Sequence, residues 1–229
     1  MLISAGGGGL LGGTAAVLRA ARPDVRIVGV QAAGAAAWPS SLAAGEPMPV
    51  GGMRTMADGI AVGRPGDVTF AQVSSLIDEM VTVSEDALSA ALLHCLERAK
   101  MLVEPAGAAS VAALMEQPDR WPGPVVCVLS GGNVDPLVLL QVIRHGLVAS
   151  SRYLTLHLRM PDRPGALAEL LARVGRLGAN VTDVAHSRIS GALAVGEVDV
   201  ELSVETRGPE HRDAIVADLR EAGHAVASP

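Results

Sequence analysis

The order of the apolar runs changes near residue 150, and this change constrains the fold more than any other feature of the sequence. From residue 1 to about 148, short β-branched runs alternate with alanine-rich stretches of helical length. Arg26–Val30, Met80–Val83 and Val125–Leu129 read as strands, the last as a continuous apolar run of the kind covered on both faces of a parallel sheet. Leu10–Arg22 reads as a helix stopped by Pro23. Ser84 caps a helix running to about Lys100, with Glu85 and Asp86 in its first turn. Pro105 opens a helix through Met115, and Asp135–Leu147 closes the region as another. Such alternation predicts an α/β domain with a doubly wound, mainly parallel sheet over residues 1–148.

From Ser151 the period becomes two: Leu154, Leu156, Leu158 and Met160 alternate with Tyr153, Thr155, His157 and Arg159. Pro164–Leu177 follows as an amphipathic helix with Leu167, Leu170, Leu171 and Val174 on one face. Val181–Ile189 and Val195–Val204 read as strands, Pro209–Ala222 as a second helix and His224–Ala227 as a last short strand. The order β-α-β-β-α-β predicts a separate ferredoxin-like α+β domain over residues 151–229.

Composition removes several classes of function. Aromatic residues are 2 % of the 229, so the core is expected to be alanine, valine, leucine and methionine, without aromatic stacks or a platform for bases. A net charge of −6 argues against nucleic acid as a partner. Cys95 and Cys127 cannot build a disulfide framework; both read as buried thiols of a reducing cytoplasm. Met1–Leu18 lacks the basic start of an export signal, and glycines interrupt its apolar stretch. No run is long and apolar enough for a membrane span. The six histidines show no ligand spacing with cysteines or carboxylates, so no metal is expected.

Two glycine motifs carry the chemistry. Gly6, Gly7, Gly8, Gly9 and Leu10 lie between the apolar pair Leu2-Ile3 and the first helix. Four glycines let successive N–H groups point at one anion, and the helix behind adds its dipole. The alternative is a merely flexible helix start. A Cβ at Gly8 is expected to stand where the anion would sit. Ser130-Gly131-Gly132-Asn133 follows the strand 125–129 at the carboxyl end of the sheet, where ligands bind in open α/β folds. Its small hydroxyl could meet a ring nitrogen; the plain alternative is an ordinary β–α turn.

These motifs occur in order with Met56-Ala57-Asp58-Gly59 and Val103-Glu104-Pro105-Ala106-Gly107-Ala108. With all four, residues 1–148 resemble the threonine dehydratases and serine racemases, fold-type-II enzymes that use pyridoxal 5′-phosphate. The resemblance implies that Gly6–Leu10 hold the cofactor phosphate, that Ser130, with Gly131 beside it, meets the pyridine nitrogen, and that Glu104 lies near the ring. A serine there leaves the ring a weaker electron sink than an aspartate would, which suits β-elimination of a hydroxyl. The tail, with Asp162-Arg163-Pro164-Gly165-Ala166-Leu167 before its first helix, resembles the ACT domain. That resemblance implies an amino-acid effector near Asp162, Pro164, Gly165, Ala166 and Asn180, and a homo-oligomer formed through this domain.

The family's Schiff-base lysine stands in a Ser-x-Lys-x-Arg setting before the glycine loop. This sequence begins at the loop, and its one lysine, Lys100, sits in Glu97-Arg98-Ala99-Lys100, a helix-face pattern. No catalytic residue is therefore assigned. Residues 1–148 are expected to be half of a larger unit, with covering helices elsewhere. The chain reads as a fragment, a late-started gene model or a remnant. Two functions follow: part of a threonine ammonia-lyase acting on a small amino-acid substrate, or a non-catalytic amino-acid sensor.

Overall fold

Three short strands pair in parallel, in the order β1 (Leu2–Ser4), β2 (Val28–Ala32) and β3 (Glu79–Val83). They belong to a computed structural model that describes residues 1–188 and 193–227. Its contacts divide the chain into two units, Met1–Gly146 and Leu147–Pro229.

In the first unit, strand alternation sends neighbouring residues to opposite faces of the sheet. Ile3 packs with Leu11, Ala15, Ile27, Trp38, Phe70 and Val73, which come from the β1–β3 layer and from α1 (Gly9–Ala21), α2 (Ala37–Ala44) and α3 (Asp67–Leu76). Leu2, Val28 and Val30 pack instead against Leu88, Leu92, Ala108, Ala112 and Val142, carried by α4 (Glu85–His94), α5 (Pro105–Glu116) and α6 (Pro136–Ala149). Both faces are thus covered by the chain's own helices, contrary to the expectation that the covering layers lie elsewhere. α2 and α3 have weak apolar periodicity, and the sequence reading assigns neither.

The run 125–129 departs from expectation. It is extended and joined to β1 by two hydrogen bonds, Leu2 N–H to Val126 O (2.8 Å) and Val128 N–H to Leu2 O (3.0 Å), around one parallel bridge between Leu2 and Cys127. The next acceptor along the run, Val128 O, is taken instead by the Ser110 hydroxyl at 2.8 Å. The run is a partly exposed edge and not a strand covered on both faces; Val126 is 53 % exposed. Cys127 is accordingly half-buried, whereas Cys95 is fully buried. The expected absence of aromatic stacking also fails at one place, where the Trp38 and Phe70 rings stack with centroids 5.8 Å apart. Ser84 caps α4 as expected, its Oγ accepting from Ala87 N–H at 3.1 Å. The helix then widens into a π turn, Cys95–Ala99, which exposed Lys100 ends with a left-handed φ of 57°.

In the second unit, β4 (Tyr153–Pro161), β5 (Asn180–Ser187), β6 (Glu197–Glu205) and β7 (Ala225–Ala227) form an antiparallel sheet in the order β5-β6-β4-β7. Leu154, Leu156, Leu158 and Met160 of β4 bury one face with Val198, Val200, Leu202 and Val204 of β6. That face packs under α7 (Ala166–Arg176) and α8 (Pro209–Glu221) through Leu170, Val174, Ile215 and Leu219. Ile189, the end of one expected strand, lies outside the described residues.

Candidate functional site

Four chain segments meet at the carboxyl ends of β1 and of the 125–129 run. They surround a cavity of about 250 Å³ lined by Ser4, Gly6–Leu10, Gly59, Ile60, Glu104, Ala106, Ser130 and Gly131. All eight residues assigned to a cofactor from the sequence therefore border one space. β1 delivers the glycine loop, which runs into the N-terminus of α1 with Gly8 as N-cap. The first N–H groups of a helix have no intrahelical acceptor, so this end of the cavity suits an anion. Glu104 is the N-cap residue of α5, with Pro105 behind it at the first helical position. Its backbone N–H donates to Gly131 O at 3.3 Å.

Glycine is favoured at 131 by its backbone conformation, and a side chain there would displace the tip of Glu104. The φ of Gly131 is +81°, and a Cβ there would stand 2.3 Å from Glu104 Oε1. Gly8 likewise has a φ of +98°. A Cβ on Gly8, however, would meet Trp38 Cζ2 at 2.5 Å and Thr69 Cβ at 2.9 Å, on the packed side of the loop. The expectation that it would displace the anion is thus replaced by a clash with the loop's support.

That support carries no signal in the sequence. Trp38 of α2 donates its indole N–H to Gly6 O at 2.7 Å, and Thr69 of α3 donates its hydroxyl to Gly7 O at 2.5 Å. Trp38 is itself anchored through its backbone N–H to the buried side chain of Gln31, at 2.9 Å. Ser4 is a further site residue that sequence reasoning misses. It is 3 % exposed and lines the cavity, and its Oγ has no hydrogen-bond partner. An anion end built of backbone N–H groups, a hydroxyl at Ser130 and an orphaned hydroxyl at Ser4 fit a phosphorylated ring with polar edges.

Lys100 is exposed and does not line the cavity. Among the described residues no cluster of histidine, cysteine and carboxylate side chains could hold a metal ion. Burial pushes the thiols of Cys95 and Cys127 above their usual range, which leaves both as poor nucleophiles.

A second cavity, of about 490 Å³, opens where β4 turns into α7. Asp162, Pro164, Gly165 and Ala166 line it over an apolar floor that includes Met160, Leu167 and Leu171. Gly165, with a φ of 86°, is the N-cap residue of α7. Arg188 donates to both oxygens of Asp162, at 2.8 and 3.1 Å, and so holds that carboxyl below its usual range. Asn180 is not brought to this cavity. It pairs with Glu205, which lies opposite Tyr153 at the start of β4, whereas Asp162 follows the strand's last residue. Its Nδ2 donates to Glu205 Oε2 at 2.9 Å.

Comparison with known proteins finds a match for each part of the chain. The family of pyridoxal-phosphate dependent enzymes matches residues 1–131, and the ACT domain matches residues 155–224. The chain belongs to the pyridoxal-phosphate dependent enzyme family, with an ACT domain at its C-terminal side. Within that family it is 42 % identical over 227 residues to an L-threonine ammonia-lyase of Geobacter sulfurreducens, covering 99 % of this chain and 56 % of the relative. An L-threonine ammonia-lyase of Thermotoga maritima is 40 % identical over 226 residues, again 99 % of this chain and 56 % of the relative. The solved processed form of threonine deaminase isoform 2 from Solanum lycopersicum superposes with a TM-score of 0.59 at 35 % identity, over 63 % of this chain and 43 % of that one. The chain thus spans about half the length of the curated relatives it matches. No helix of the described residues is long and apolar enough to cross a membrane.

Proposed function

We propose that this chain supplies the cofactor-phosphate and ring-nitrogen contacts of a threonine ammonia-lyase, together with its regulatory ACT domain. One observation carries the reading: segments 6–10, 59–60, 104–106 and 130–131 converge on one cavity. Pyridoxal 5′-phosphate, when bound, supplies the electron sink that loosens bonds at an amino acid's α-carbon. The N–H groups of Gly6–Leu10 hold its phosphate, and the dipole of α1 adds to their attraction. Ser130 offers its hydroxyl to the ring nitrogen and, being neutral, does not hold a proton there. Gly131 gives Glu104 the room to reach the same wall. Moving the α-proton calls for a base that Lys100 does not provide here, since it is exposed and does not line the cavity. The whole protein's reaction is the conversion of threonine, and of serine as a second small substrate, to a 2-oxo acid and ammonia.

The second unit binds an amino-acid effector at the β4–α7 turn and joins copies of the chain into a homo-oligomer. Residues 1–148 and 151–229 are the catalytic and regulatory parts. Neither nucleic acid nor membrane is a partner, and the setting is cytoplasmic. The alternative, a non-catalytic amino-acid sensor, is favoured by the exposed position of Lys100.

The test is a chimera in which the portion of the Geobacter relative not spanned by this chain is fused ahead of Met1. Production of 2-oxobutanoate from threonine, dependent on added pyridoxal 5′-phosphate, is expected from the chimera and not from the 229-residue chain alone. A folded chimera that binds the cofactor but leaves threonine untouched would sink the ammonia-lyase reading in favour of the sensor. Turnover by the unaltered chain would show that no further base is needed.

A further inference from the structure

We infer that Trp38 and Thr69 are positioning residues that preset the glycine loop for a phosphate; this rests on the cofactor reading of the cavity. A trans peptide is planar, with its C=O and N–H pointing in opposite directions. Holding a carbonyl oxygen on one side of the loop therefore aims the next residue's N–H to the other side. Trp38 Nε1–H holds Gly6 O at 2.7 Å, which aims Gly7 N–H away from α2. Thr69 Oγ1–H holds Gly7 O at 2.5 Å, closer than the Gly66 N–H that also reaches it at 3.4 Å, and this aims Gly8 N–H away from α3. Gly8 O is taken by Gly12 N–H at 2.8 Å, the first bond of α1, and this sets the third plane. Two consecutive peptide planes are thereby fixed from the packed side and a third by α1 itself, while the glycines line the cavity.

A run of four glycines would otherwise sample many conformations, and ordering it costs about 1–2 kcal/mol per residue. The two side chains meet that cost during folding, so the anion does not have to. Trp38 is 0 % exposed, stacked on Phe70 and tied to Gln31, so its donor cannot drift. The role of Thr69 needs only a hydroxyl. Its Oγ1 also approaches Gly66 O at 3.0 Å, but the shorter contact is the one to Gly7.

The experiment uses the full 229-residue chain with inorganic phosphate and pyridoxal 5′-phosphate as probes. Affinity is read by calorimetry, and Trp38 emission is followed in a Trp121→Phe background. Thr69→Val removes the hydroxyl at constant shape and is expected to weaken both probes about tenfold, or about 1.4 kcal/mol. Thr69→Ser, which keeps the hydroxyl, should stay within about twofold of the parent. Trp38→Phe should weaken both probes as well. Thr69→Val binding phosphate as tightly as the parent would overturn the inference. So would Thr69→Ser losing as much affinity as Thr69→Val, since that marks a packing role only. If the unaltered chain binds neither probe, the cofactor reading itself fails and takes the inference with it. Binding by the parent with no difference among the variants removes the inference alone.

Discussion

Asp78 and Glu79 anchor the start of β3, on the side away from the cavity, through charged partners from distant segments. Asp78 accepts from Arg19 at 2.5 Å and from Ile27 N–H at 2.6 Å; Glu79 accepts from Arg26 at 2.8 Å, from Trp121 at 3.2 Å and from Arg120. Burial works against the charge of Glu79, but the hydrogen bonds from Trp121 and Arg120 outweigh it and hold the carboxyl below its usual range. At Asp78 burial is likewise outweighed, by the Ile27 N–H and Arg19. A carboxyl with a lowered folded pKa adds stability above its unfolded value, near pH 4, and that stability is lost as pH falls through the folded value. Glu79 is the less exposed of the two, with 14 % of its side chain accessible. Glu79→Gln is therefore expected to lower stability at pH 7 by about 1–2 kcal/mol and to flatten the loss between about pH 5 and pH 3. Urea midpoints read by Trp121 emission at each pH check this. A variant with the parent's acid dependence would show that Glu79 does not carry it.

At the scale of elements, the cavity depends on how closely α5 approaches residues 130–131. Gly107, in the first turns of α5, is the point of nearest approach: a Cβ there would lie 1.8 Å from Ser130 O and 2.8 Å from Val103 Cγ1. Alanine would gain about 1 kcal/mol of helix propensity at this position. A backbone oxygen at 1.8 Å cannot yield as a side-chain tip does, so the clash wins. Gly107→Ala is expected to cost about 1–3 kcal/mol net and to push Ser130 out of place, weakening pyridoxal 5′-phosphate more than inorganic phosphate. Equal affinities in variant and parent would show that α5 does not position Ser130. Part of this arrangement is legible in the sequence, because the glycines at 6–9 and 131 and Pro105 are local signals, although the loop and the turn each also admit a plainer reading until the cavity joins them. What depends on tertiary distance is hidden. Trp38 and Thr69 sit in α2 and α3, whose alanine-rich and mixed compositions carry little period, and nothing local marks them as supports of a loop about thirty and sixty residues away. Ser4 reads as an ordinary strand residue until the cavity beside it is seen. The run 125–129 misleads in the other direction, since continuous apolarity cannot tell a central strand from an edge beside a three-residue neighbour. In the tail, the β-α-β-β-α-β order is plain from periods of two and 3.6. Asn180 can be placed near the effector turn only by resemblance, and strand register puts it at the opposite end of the sheet.

At the scale of the whole chain, each unit closes a core from its own residues. The first covers both faces of β1–β3 with six helices, although apolar side chains such as Val17, Val68 and Leu137 remain 68 %, 82 % and 71 % exposed. The second packs α7 and α8 on one face of its sheet, through residues that all lie between Leu154 and Val226. A domain that buries its own core folds without its neighbour. Cutting the chain after Ser150, just past α6, should therefore give two pieces that each keep slow-exchanging amides. In the first these are the β1–β3 amides, and in the second those of β4 and β6. Among the described residues, the eight-residue β5 stands at one end of the sheet order β5-β6-β4-β7, a position suited to joining another copy. The second piece is expected to scatter light as a dimer. Hydrogen exchange of both pieces, beside light scattering over a range of concentrations, decides the matter. A tail without protected amides would remove the independent core, and a protected but strictly monomeric tail would remove the role of this domain in assembly.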